Sequence, residues 1–85
     1  MTLVELLAKL TGAELAFRRE DEDELLSVVV VATPAGRRVL ALERTYSQGI
    51  HVLLDPTEEE MEMAHSGNLW TLWNSERTQY LASVI

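Results

Sequence analysis

Leu25-Leu26-Ser27-Val28-Val29-Val30-Val31-Ala32 is the stretch whose reading decides the fold. Seven of its eight residues are apolar and four are valine. A β-branched run of this length is a strand with both faces covered. Such a strand needs partners along its edges and layers above and below it, so the flanking sequence must supply further strands and helices.

On the N-terminal side, residues 13–19 alternate, with Leu15 and Phe17 on one side and Glu14, Ala16 and Arg18 on the other. That is strand patterning. Ahead of it, Thr2 can cap a helix and Glu5, three positions on, completes a capping box. Leu3, Leu6, Leu7 and Leu10 recur at helical spacing and read as the face packed on the sheet. Glu5, Ala8 and Lys9 are then left to water, and Gly12 supplies the left-handed stop.

On the C-terminal side, Thr33-Pro34-Ala35-Gly36 is turn chemistry. Residues 38–46 resume as a strand, 47–49 turn the chain, and 50–54 form a fourth strand with Ile50, Val52 and Leu54 on one face. Asp55 reads as the cap of a second helix, with Pro56 at its first position and Glu58 closing the box. This helix runs to about residue 65, where Ser66-Gly67-Asn68 ends it. Residues 69–85 fit two patterns. Leu69, Leu72, Trp73, Tyr80 and Val84 share a helical face, whereas Thr71, Thr78, Val84, Ile85 and the aromatics favour strands around a turn at Asn74-Ser75-Glu76. The hairpin is the preferred reading.

The expected fold is a single α+β domain spanning 1–85. It has an N-terminal helix, a four-stranded antiparallel meander, a second short helix and a C-terminal β-hairpin or helix. Eighty-five residues and an apolar fraction of 47% suit one small core. With no cysteine, neither a disulfide nor a thiolate metal site can assist it. The N-terminus lacks a secretory pattern, and no run approaches the ~20 apolar residues of a membrane span. A cytoplasmic protein with no membrane contact is expected.

Charge is the main functional signal. Nine of the fourteen acids fall in two runs, Glu20-Asp21-Glu22-Asp23-Glu24 and Glu58-Glu59-Glu60 with Glu62. The net charge of −7 excludes direct nucleic-acid binding, which demands lysine and arginine. In a meander, the 20–24 loop lies at one end of the sheet, and Arg37 and Arg38 lie at the other, near the start of the second helix. The Glu58 run is thereby partly neutralised, which leaves residues 20–24 as the charge most available to a partner. The same loop serves equally as a solvated turn. It is not a calcium loop, because Leu25-Leu26 stand where glycine and further oxygen ligands belong.

Trp70, Trp73 and Tyr80 are candidates for an aromatic contact patch, since such residues dominate interface hot spots. Spaced by three, the two tryptophans share a face in a helix and oppose each other in a strand. His51 and His65 have no metal-ligand spacing, and no nucleophile–base pattern or phosphate loop occurs. Neither a metal, a cofactor nor an enzyme is expected.

The leading expectation is a small acidic, non-catalytic protein-binding protein. Inhibitors, antitoxins, immunity proteins and phage- or defence-related proteins combine this size and acidity. Its partner is a basic protein, one that itself binds nucleic acid being the natural case, met by Glu20, Asp21, Glu22, Asp23, Glu24, Trp70, Trp73 and Tyr80. The alternative is a homodimeric adaptor, whose helix–strands–helix–hairpin order resembles secretion chaperones and whose apolar sheet face holds a client segment. A homodimer through the open face would cover the sheet side that a modest second helix cannot.

Overall fold

The valine-rich stretch is the second of five strands in one antiparallel sheet of order β1-β2-β3-β4-β5. The computed structural model describes residues 2–20, 25–33, 35–44 and 49–82. Its elements are α1 (Leu3–Thr11), β1 (Glu14–Glu20), β2 (Leu25–Ala32), β3 (Arg38–Arg44), β4 (Gly49–Leu54), α2 (Glu58–Ser66), α3 (Leu69–Trp73) and β5 (Thr78–Ala82). The α+β class and the four-stranded meander follow the expectation. Residues 69–82 depart from it. They form neither a hairpin nor one helix, but a short helix and a strand that pairs with β4.

The helices take opposite sides of the sheet. On one side Val28, Leu40, Leu42 and Leu53 pack against Met61, Ala64, Leu69 and Leu72 of α2 and α3. On the other, Val29 and Ile50 meet Val4 and Ala8 of α1, with Ala13 and Ala41 packed against them. The second helix pair thus builds the main core. Five-residue α3 has little helical tendency of its own, and burial of Leu69 and Leu72 against that core holds it.

Three local expectations are corrected. First, the register steps between Leu15, opposite Val29, and Phe17, opposite Val28. This bulge sends the two side chains to opposite faces and seats Phe17 on the main core. Second, α2 is capped by Thr57, whose hydroxyl accepts from the Glu60 N–H while the Glu60 carboxylate accepts from the Thr57 N–H. Asp55 instead has a φ of 50° and pairs with Arg37.

The third correction is the largest. In α1 the residues turned to the sheet are Val4, Glu5 and Ala8, whereas Leu3, Leu6, Leu7 and Leu10 face outward. Thr2 does cap the helix, accepting from the Glu5 N–H. The Glu5 carboxylate, however, turns inward rather than back to the cap. It accepts a 2.5 Å hydrogen bond from Ser27 and a 3.2 Å bond from Arg18. Glu43, 2% exposed, reaches up from β3 to accept from the Val4 N–H at 2.8 Å. Two sheet-side carboxylates therefore hold the helix in place, and a small residue, Ala8, allows its close approach. Removing the outward leucines from water would be worth more in isolation, but it would turn Glu5 out to solvent and strand Glu43 and Ser27 of the sheet beneath an apolar layer without partners.

Candidate functional site

The Trp70–Trp73 pair and the strand ends beneath it form a groove of about 470 Å³. Arg19, Leu26 and Arg44 are register neighbours across β1, β2 and β3, so their side chains share the face that α3 overhangs. Phe17 and Gly67 floor the groove, and Leu69, Trp70, Trp73 and Asn74 wall it. Because 69–73 is helical, the spacing of three places both tryptophans on it. Trp70 is 78% exposed at the rim, while Trp73 is half-buried against the core.

Trp73 connects the groove to the neighbouring strand pair. Its ring lies 4.8 Å from that of His51, which in turn meets Tyr80 edge-on at 5.2 Å. The Arg44 guanidinium carbon stands 5.7 Å from the Trp73 ring centroid, within cation–π range. Nδ1 of His51 and Nε1 of Trp73 are buried with no hydrogen-bond partner among the described residues. Burial lowers the His51 pKa, with the Gly49 backbone pulling the other way, so the ring is neutral at pH 7.

Of the expected contact residues, Trp70, Trp73 and Tyr80 are brought together on one face. Glu20 ends β1 at the same end of the sheet, opposite Leu25, and its carboxylate accepts from Arg18 at 3.1 Å. Asp21, Glu22, Asp23 and Glu24 lie outside the described residues. Of the two arginines that the meander brings to the second acid run, Arg38 donates to Glu58 at 3.0 Å while Arg37 pairs with Asp55; Arg77, just ahead of β5, donates to both oxygens of Glu60. Burial pushes the Glu60 carboxyl up, but the Thr57 N–H and Arg77 outweigh it and hold the pKa below its ordinary value.

No family model, curated protein or solved structure matches the chain. The groove's chemistry is that of a contact surface, with aromatic faces for apolar or planar groups and two guanidinium groups at its edge. Among the described residues no group of three His, Asp or Glu is placed to hold a metal, and no helix is long and apolar enough to cross a membrane.

Sequence reading missed Phe17, Arg19 and Arg44 as groove residues, because a one-residue bulge and a three-strand register are not local properties. It also missed the outward leucines. A signal for those was present: Ser27 is the one polar residue of β2, and it pairs directly with Glu43 of β3, so the two polar side chains require a polar partner from whatever lies above them.

Proposed function

We propose that the protein is a non-catalytic protein-binding protein of the inhibitor, antitoxin or immunity type, acting on a basic partner. The observation that carries this reading is Trp70, an exposed indole on the rim of a groove it shares with Trp73. A large aromatic kept in water beside a preformed cleft is the usual anchor of a binding hot spot. The acids of residues 20–24 add long-range attraction, which speeds encounter and selects against acidic competitors. Tagged protein is used to capture partners from a lysate of the source cell at low and high salt. Wild type, Trp70→Ala and a triple Asp21→Lys, Glu22→Lys, Asp23→Lys variant are compared. A basic protein captured stoichiometrically, released by salt and weakened in both variants is expected. Capture that ignores salt and both variants would overturn the reading.

The outward leucines of α1, as a seam between two copies, favour a second reading, that of a homodimeric adaptor for an apolar client segment. Its client would remain bound at high salt, since apolar contacts are not screened.

A further inference from the structure

We infer that α1 is a homodimerisation helix, which pairs antiparallel with the α1 of a second copy through Leu3, Leu6, Leu7 and Leu10. The inference is independent of the groove, which lies on the opposite face of the sheet.

Three observations lead to it. The first is orientation. At 100° per residue, the four leucines centre roughly 150° away from the stripe of Val4, Glu5 and Ala8 that touches the sheet. Glu5 with Ser27 and Arg18, and Glu43 with the Val4 N–H, fix that orientation through buried polar contacts. The leucines, 43 to 74% exposed, are thus held outward by specific interactions.

The second is symmetry, and it fits a second copy of the chain as the occupant. The spacing Leu3-x-x-Leu6-Leu7-x-x-Leu10 reads the same in both directions about the point between Leu6 and Leu7. A two-fold axis through that point brings Leu3 of one copy to Leu10 of the other, and Leu6 to Leu7. Such self-complementarity is what an isologous interface needs. Antiparallel pairing also sets each helix's positive end beside the partner's negative end.

The third is charge and area. Copies carrying −7 each repel through most faces. Glu5 is turned inward, however, and Lys9 is the one other charged residue of α1. Glu58, Glu59 and Glu62 belong to α2 on the far side of the sheet. With Leu15, on α1's face of the sheet, the leucines offer on the order of 400 Å² of apolar surface per copy, within the roughly 300–600 Å² of the largest, often functional, patch on a monomer. Two such patches and their flanks approach the roughly 1,200 Å² at which stable interfaces begin.

Sedimentation equilibrium over a micromolar to submillimolar series tests this. The wild type should approach twice the 9.6 kDa chain mass, and Leu6→Glu/Leu7→Glu should stay at the single mass with unchanged circular dichroism. A second measurement does not depend on that variant folding. In the cysteine-free chain, Leu3→Cys/Leu10→Cys should oxidise to a covalent dimer, and Leu3→Cys alone should not. The two position-3 thiols of a dimer would lie about 10 Å apart along the helix axis, beyond disulfide reach, as would the two thiols within one doubly substituted chain. A wild type that remains monomeric throughout overturns the inference, even if the face captures a foreign helix. So does a dimer that survives the double glutamate in folded protein, or equal cross-linking of the single and double cysteine variants.

Discussion

Gly67 closes α2 with a φ of 82°, and a Cβ built there would meet the Phe17 ring at 2.6 Å. Two demands converge on this residue, a left-handed backbone and close packing of β1 against the end of α2. Gly12 closes α1 with a φ of 72° and has nothing within 4 Å. Gly12→Ala should therefore cost about 1 kcal/mol for the backbone alone, and Gly67→Ala clearly more, about 2–3 kcal/mol. Urea unfolding of both variants gives the difference directly. His51 carries a pH signature. Because burial lowers its folded pKa below 6.5, the unfolded chain binds the proton first as pH falls. Its contribution is complete above about pH 6.5 and is withdrawn below that value. His65 acts in the opposite sense. The Met61 carbonyl, then Glu14, raise its pKa, so its stabilisation is complete below pH 6.5 and is lost as pH rises through the folded value. His51→Phe keeps a ring between Trp73 and Tyr80 but cannot protonate. Its Tm should fall less than that of the wild type between about pH 7 and pH 5, and equal slopes would refute the assignment.

At the scale of elements, α1 is the instructive case. Its existence, its cap at Thr2 and its stop at Gly12 are as the sequence reads. The face it buries is the reverse of the hydrophobic one. Periodicity reports that a helix has an apolar side; which side meets the sheet depends on what the sheet presents, and here β2 and β3 present Ser27 and Glu43. Glu43→Gln keeps an acceptor for the Val4 N–H and should change stability little. Glu43→Leu leaves that N–H buried without a partner and should cost about 1–3 kcal/mol, seen as a lower urea midpoint at unchanged slope. The same logic explains α3. Threonine and tryptophan disfavour a helix weakly, and burial of Leu69 and Leu72 outweighs that preference.

At the scale of the whole molecule, Arg77 joins segments that are remote in sequence. It donates to both carboxylate oxygens of Glu60 in α2 and to the carbonyls of Leu54 and Asp55 at the end of β4. It also immediately precedes β5, so it sets where that strand enters the sheet. Arg77→Ala should cost about 1–2 kcal/mol, given its half-exposed side chain, and Arg77→Lys should not restore it, because an ammonium cannot span this set of acceptors as a planar fork does. Chemical denaturation of both variants checks the claim. By itself, the sequence determined the elements whose signals are local: the valine-rich strand, the meander joined by short turns, both glycine-stopped helices, and the meeting of Arg38 with Glu58 that follows from strand direction. Only the tertiary structure decided the fifth strand, the bulge before Phe17, the assembly of the groove and the outward turn of the α1 leucines. Each of those is settled by contacts between residues far apart in the chain, where burial of one side chain or pairing of one carboxylate outweighs a local preference of a few tenths of a kcal/mol.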